Sequence, residues 1–257
     1  MNGTNPSTDW SSHTWSSEAV SAAIVKSSDT IKLIPNDGGS DIAIHRELLC
    51  FYSPYYTAAL KGNFSEAQKD CLSVGVNKEL LDAFVAWIYT GEIESTTRLQ
   101  TPEELHICLY VFADQVDVLS LRRQVIDYMT INEAGLPYYR VVLHALTNLP
   151  ETSPLRQFLL AAYIAHWHPN IDENDSYLEM REEDPSRALP DFLYQVMKGV
   201  GFRKKVDAPG CLCCNSACAY HEHESVEEWE ATCGLDEYSE MPPYLLSKSS
   251  PETASSR

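Results

Sequence analysis

The 257-residue chain has no long apolar stretch and few basic residues. Its longest uninterrupted apolar run, residues 158–165, spans eight positions, whereas a membrane-spanning helix needs roughly 18. Residues 1–9 show neither the basic nor the apolar stretch of a secretory signal, so we expect no such signal. The sequence therefore predicts a protein that does not associate with membranes.

Positive charge is scarce, because 19 Lys and Arg residues stand against 37 Asp and Glu residues and give a net charge of −18. A protein that binds nucleic acid needs clustered Lys and Arg to neutralise phosphates. The one basic cluster, residues 203–205, is short. The charge balance therefore argues against a nucleic-acid partner.

Signatures of catalysis are absent as well. The sequence contains no P-loop, no dinucleotide-binding glycine pattern, no nucleophile elbow and no kinase signature. A zinc-protease helix would need His-Glu-x-x-His, but Ser225 stands where the second histidine of that motif would follow His221. We therefore expect that the protein is not an enzyme.

Five of the eight cysteines, Cys211, Cys213, Cys214, Cys218 and Cys233, fall within a window of 23 positions. In a chain without a secretory signal, such crowding indicates metal ligation before disulfide formation. The same cysteine usage predicts a cytoplasmic or nuclear location, or both.

Composition and periodicity divide the chain into five segments. They are a disordered tail (1–16), a domain of mixed strands and helices (17–131), a helical extension (132–206), a Cys/His segment (207–234) and a second disordered tail (235–257).

The mixed domain shows the pattern of an α+β fold. Alternating apolar residues on both sides of an Asn-Asp-Gly-Gly turn predict a hairpin over residues 30–44, and alternation predicts a further strand over residues 71–76. Ser53-Pro54 is a typical helix start, and residues 78–89 carry an apolar stripe at helical spacing.

The order of these elements and the residues in them resemble a BTB/POZ domain. The sequence variation resembles that among fungal members of the family. The pieces are residues 44–49 (IHRELL), 53–56 (SPYY), 64–66 (FSE), 84–91 (FVAWIYTG) and 113–121 (ADQVDVLSL). The resemblance implies a small sheet with a helical cluster, followed here by a mostly helical region and the Cys/His segment. It also implies a protein-interaction module that self-associates.

The loop over residues 61–70 holds the triplet Phe64-Ser65-Glu66. In BTB adaptors, a hydrophobic–any–Glu triplet at this place contacts the cullin-3 ubiquitin-ligase scaffold. The resemblance therefore implies that Phe64 and Glu66 bind a partner and that the protein recruits substrates to a cullin-3 ligase. Two alternatives stay open. Phe64 can fold back on its own domain, or the protein can be a nuclear transcription-associated or scaffolding protein whose Cys/His segment binds protein or nucleic acid.

The Cys/His segment offers more ligands than one metal ion needs. Zinc takes four soft or borderline ligands in a tetrahedron, and a Cys-x₂-Cys turn supplies two of them. We predict one structural zinc held by Cys211, Cys214, Cys218 and His223, with His221 and Cys233 as alternates. Similar segments that follow some fungal BTB domains do not fix which four residues bind. The other interpretation is a reduced cysteine-rich loop that binds no metal.

Overall fold

The computed structural model describes residues 11–63, 69–93, 101–131, 136–168, 186–203 and 212–234, together with Pro242 and Leu245. Phe64, Glu66 and Cys211, which the sequence singled out, lie outside these residues. The chain divides into two compact units, Met1–Arg122 and Arg123–Arg257. Among the described helices, none combines the length and the apolar character that crossing a membrane requires.

The first unit contains a three-stranded sheet with the strand order β2-β1-β3. The strands are β1 (Thr30–Ile34), β2 (Ile42–His45) and β3 (Cys71–Ser73). β1 pairs antiparallel with β2, which confirms the predicted hairpin, and parallel with β3. Ile31 and Leu33 are fully buried while Lys32 between them is exposed, so the alternation read from the sequence places one face of β1 in the core.

Within the described residues, α-helices accompany this sheet. They are α1 (Ser17–Lys26), α2 (Arg46–Tyr52), α3 (Pro54–Lys61), α4 (Lys78–Thr90), α5 (Pro102–Gln115) and α6 (Leu119–Ile131), the last of which spans the division between the units. The predicted start of α3 is confirmed, because the Ser53 hydroxyl accepts a hydrogen bond from the Tyr56 backbone N–H at 2.9 Å. Gly91 ends α4 with a positive φ of 75°, a conformation that favours glycine.

Aromatic side chains form much of the core of the first unit. Phe84 meets Phe112 edge to face, with ring centroids 5.0 Å apart. The ring centroids of Trp87 and Tyr52 are 5.5 Å apart. All four side chains are buried. The apolar stripe read over residues 78–89 is thus the core face of α4, which joins α5 and α2 in one packed cluster.

Residues 11–16, which the sequence assigned to a disordered tail, make specific contacts with this unit. The Trp15 indole N–H donates to the Ile88 carbonyl at 3.1 Å. The Ser16 hydroxyl accepts from the Ala19 N–H at 3.2 Å and caps α1. These contacts give Trp15 and Ser16 fixed positions, which composition alone does not reveal.

The second unit is mostly helical, as predicted. Its helices are α7 (Tyr139–Asn148), α8 (Pro154–His166), α9 (Ala188–Arg203), α10 (Leu212–Asn215) and α11 (Val226–Thr232), with a 3₁₀ helix over Ala217–Tyr220. The Tyr163 ring of α8 meets the Phe192 ring of α9 at 5.3 Å, and both side chains are buried. α8 therefore lies at the centre of this unit, with its last residue, His166, next to the Cys/His segment.

Candidate metal centre

Cysteine and histidine side chains converge in two groups within the described part of the second unit. The four-residue group consists of Cys218, His221, His223 and Cys233, and the three-residue group consists of His166, Cys213 and Cys214. In each group, the possible ligand atoms all lie within 4.8 Å of one another. Both groups can therefore hold a metal ion.

Local structure brings the ends of the four-residue group together. Cys218 lies in the 3₁₀ helix Ala217–Tyr220, and the chain then turns into α11. The Ser225 hydroxyl caps α11 by accepting from the Glu228 N–H at 3.2 Å. Cys233 follows the last turn of α11, where its N–H donates to the Trp229 carbonyl at 2.8 Å. The helix thereby returns Cys233 to the side of Cys218.

Sulfur and nitrogen atoms face each other inside this group. His223 Nε2 lies 3.5 Å from Cys218 Sγ, and His221 Nδ1 lies 3.4 Å from Cys233 Sγ. The Trp229 indole N–H donates to Cys218 Sγ at 3.0 Å. Cys218, His221 and His223 are buried, and Cys233 is half-buried. Two thiols and two imidazoles in a closed pocket are the donor set of a structural zinc site.

Carboxylates bind the ring nitrogens that point away from the sulfurs. His223 Nδ1 donates to the Glu228 carboxylate at 2.7 Å, and His221 Nε2 lies 3.0 Å from the Asp127 carboxylate. Metal-bound histidines almost always direct the second ring nitrogen to such an acceptor, which fixes the ring and raises its basicity. The two imidazoles are therefore held with the correct nitrogen facing the sulfurs.

A buried ion pair supports this arrangement from α6. Arg123 Nη2 donates to the second oxygen of Glu228 at 2.8 Å, and these side chains are 5% and 0% exposed. Arg123 Nε also donates to the Glu222 carbonyl at 3.1 Å. Since Asp127 belongs to the same helix, α6 supplies two side chains to the surroundings of the group.

These contacts shift the acidity of the group. Burial lowers the pKa of His221, but its contacts with Asp127 and Cys233 outweigh burial and raise that pKa to about 9. The hydrogen bond from Cys218 and those from the histidines lower the pKa of the Cys233 thiol, while the pKa of the Cys218 thiol rises. Metal binds thiolate and neutral imidazole, so the lowered pKa of Cys233 favours binding, whereas an ion would have to displace the protons of Cys218 and His221.

The three-residue group lies where α8 meets α10. His166 Nε2 is 3.1 Å from Cys214 Sγ and 3.4 Å from Cys213 Sγ. Cys213 is buried, while His166 and Cys214 are exposed. This group is therefore more open to solvent than the four-residue group.

The structure distributes the predicted zinc ligands over both groups. Cys218 and His223 lie together with the two alternates, His221 and Cys233, whereas Cys214 lies with His166. Cys211 is outside the described residues, so its role as a ligand stays a prediction. Sequence reasoning missed His166, Asp127, Glu228 and Arg123, because each is an isolated residue whose part depends on the folded arrangement.

A comparison with curated proteins found no match to this chain. The family model of the BTB/POZ domain matches residues 27–130. That range begins just before β1 and ends in α6, so it contains the complete sheet and includes Arg123 and Asp127. The chain therefore contains a BTB/POZ domain, a protein–protein interaction module.

Proposed function

We propose that the protein is a BTB adaptor that self-associates and recruits substrates to a cullin-3 ubiquitin ligase. The observation that carries this proposal is the BTB/POZ match over residues 27–130, within which Phe64 and Glu66 form a hydrophobic–any–Glu triplet. The triplet falls between α3 and β3, the place of the cullin contact in adaptors of this family. A buried aromatic anchor with a carboxylate at the rim is a typical energetic centre of an interface.

A groove lined by residues that flank this loop in the sequence supports the proposal. A cavity of about 400 Å³ lies against α3, β3 and α5, and Ala59, Lys69 and Cys71 on the two sides of the loop contribute to its lining. Tyr55 of α3 borders the same groove and is 53% exposed. A partner that contacts Lys69 and Cys71 would therefore find a concave surface bordered by an exposed aromatic ring.

The outer face of α1 supports self-association. Val20 and Ala23 are buried, whereas Val25 is 88% exposed and Ile24 is 38% exposed. Exposed aliphatic side chains at the end of a helix that packs on the domain offer an apolar surface to a second copy. We therefore place α1 in the interface between two copies.

The proposal also assigns a structural Zn²⁺ ion to the four-residue group. Cys218, His221, His223 and Cys233 supply the four ligands that a closed site needs, and Asp127 and Glu228 orient the two imidazoles. When bound, the ion would stabilise a short segment whose own apolar core is small. The role of the metal is thus to shape the region that follows the BTB/POZ domain.

Titration calorimetry of the full chain with the N-terminal domain of cullin-3 tests the adaptor role. We expect binding by the wild type, and a loss of more than tenfold in affinity for the double variant Phe64→Ala/Glu66→Ala, about 1.4 kcal/mol or more. The matched control is Phe202→Ala/Glu230→Ala, which removes one exposed Phe and one exposed Glu outside the BTB/POZ match.

Two results would count against the proposal. Absence of binding by the wild type contradicts the adaptor function itself. Equal binding by the wild type and the Phe64/Glu66 variant contradicts the assignment of the contact to this loop. Equal melting temperatures of the two double variants would show that any loss of affinity does not arise from unfolding.

A further inference from the structure

We infer that His166, Cys213 and Cys214 form a second metal site, which binds a Zn²⁺ ion separately from the four-residue group. The sequence pattern predicted one zinc and placed Cys214 among its ligands. The folded chain instead brings Cys214 to a histidine 48 positions earlier, at the end of α8. The proposal goes beyond the adaptor function and does not depend on it.

The convergence of the three side chains is the first argument. Both sulfurs reach the same nitrogen, His166 Nε2, at 3.1 and 3.4 Å. Cys213 and Cys214 are neighbours in α10, and adjacent side chains on a helix point about 100° apart. His166 Nε2 nevertheless lies within 3.4 Å of both sulfurs, so the three side chains converge.

Packing holds this arrangement in place. The Phe158 ring of α8 meets the Tyr220 ring at 5.4 Å, edge to face, and both are buried. Cys213 itself is only 3% exposed. These buried contacts hold residues 213–220 of the Cys/His segment against α8, so core packing positions the two sulfurs opposite His166.

The number of ligands indicates that the two groups bind two different ions. Cys218, His221, His223 and Cys233 already supply four ligands, the full number for tetrahedral zinc. A single ion there has no position left for Cys213 or Cys214. These two cysteines and His166 therefore serve a different ion, for which two thiolates and one imidazole are suitable ligands.

The chemistry of the second site differs from that of the first. Within the described residues this site has three protein ligands, one fewer than a tetrahedral ion takes. His166 and Cys214 are exposed, whereas three of the four residues in the other group are buried. We therefore expect the ion of the three-residue group to exchange faster with a chelator in solution.

Zinc content and zinc release of the full chain test this inference. The protein is produced with Zn²⁺, its metal is counted by mass spectrometry, and release is followed with a chromogenic chelator. We expect two ions for each wild-type chain, released in a fast and a slow phase. His166→Gln and Cys213→Ser/Cys214→Ser should each lose the fast phase and keep one ion. Cys218→Ser/Cys233→Ser should lose the slow phase.

Cys71→Ser is the matched control, because Cys71 is an exposed cysteine of β3 that belongs to neither group. It should keep both ions.

Two results would overturn the second site. In the first, the wild type binds a single ion and the Cys213/Cys214 variant retains it. In the second, the wild type binds a single ion and both double-cysteine variants lose it. Retention of both phases by the Cys218/Cys233 variant would instead contradict the structural zinc of the four-residue group. His166→Gln changes an exposed residue, so its result does not depend on the folding of a core variant.

Discussion

The Glu228 carboxylate lies 2.7 Å from Nδ1 of His223, and neither side chain is exposed to solvent. A buried carboxylate is costly unless it is paired, and Glu228 has two partners, since Arg123 binds its other oxygen at 2.8 Å. The arrangement keeps a negative charge directly behind an imidazole whose other nitrogen faces Cys218. Such a charge favours a histidine that binds a cation.

Substitution of Glu228 should weaken metal binding. Glu228→Gln keeps the size of the side chain but removes the charge that orients His223 and pairs with Arg123. We expect the zinc affinity of the full chain to fall by about 10- to 100-fold, as is typical for loss of such an orienting group. Competition with a chelator of known affinity gives the measurement.

Glu227→Gln is the control for this change, because Glu227 is the exposed neighbour of Glu228 on α11. It should leave the zinc affinity unchanged. Asp127→Asn, which alters the contact with His221 on a partly exposed side chain, should lower the affinity without breaking the buried ion pair. Equal affinities for Glu228→Gln and Glu227→Gln would show that the carboxylate does not support the metal.

The fold of the first unit could be predicted because its signals are local. The alternation in β1, the Ser53-Pro54 helix start and Gly91 at the end of α4 each depend on a few neighbouring residues. The strand β3 is shorter than the predicted strand over residues 71–76, because it ends at Ser73. Beyond Ser73, the Val74 N–H still donates to the carbonyl of Ile34 at the end of β1, and the Val76 carbonyl accepts from the Asn36 N–H just after β1.

The metal centre could be predicted only in part, because its ligands come together through tertiary packing. The density of Cys and His indicated the segment that contains all the clustered residues except His166, but Cys-x₂-Cys spacing could not show that Cys214 meets His166, 48 positions earlier. Nor could a local pattern find Arg123 and Asp127, which lie about a hundred residues before their partners. Helix packing, and not spacing along the chain, brings these groups together.

Self-association should depend on the exposed end of α1. Val25→Glu places a charge on a side chain that is 88% exposed in the single copy, so the fold should tolerate it. In an interface between two copies the same charge would be desolvated, and we expect dimerisation to weaken by at least tenfold, about 1.4 kcal/mol. Analytical ultracentrifugation of the full chain measures the dissociation constant.

Met197→Glu provides the comparison, because Met197 is 68% exposed and lies on α9, outside the BTB/POZ match. This variant should dimerise like the wild type. A wild type that stays monomeric at high micromolar concentration would contradict self-association. A dimer that Val25→Glu leaves intact would place the interface elsewhere.

The stability of the chain should depend on pH through His106 in α5. Burial lowers the pKa of His106 below its ordinary value of 6.5, although Nδ1 donates to the Pro102 carbonyl at 2.5 Å. Below pH 6.5 the unfolded chain therefore binds more protons at this residue than the folded chain. The contribution of His106 to the free energy of unfolding is full above pH 6.5 and falls as the pH drops toward its folded pKa.

Urea unfolding of His106→Gln and the wild type at several pH values tests this dependence. The stability difference between the two proteins should shift in favour of the variant as the pH falls below 6.5, because glutamine does not take up a proton. His144→Gln makes the same substitution at an exposed histidine and should run parallel to the wild type. A constant difference between His106→Gln and the wild type across this range would be inconsistent with a buried neutral histidine.

Removal of the metal should unfold the Cys/His segment and leave the BTB/POZ domain folded. Residues 212–234 contain only short helices, and their buried side chains are mostly the proposed ligands and Glu228, so we expect Zn²⁺ to supply much of their folding free energy. The first unit has its own core of Phe84, Trp87 and Phe112 and does not need the metal.

Hydrogen exchange of the full chain, measured by mass spectrometry with and without chelator, should show faster exchange in peptides from residues 212–234 and unchanged exchange in α4 and α5. Restoring Zn²⁺ should restore protection. Unchanged protection of the segment after complete removal of the metal would mean that the four-residue group folds through its hydrogen bonds and the Arg123–Glu228 pair alone, and the structural role assigned to zinc would be wrong.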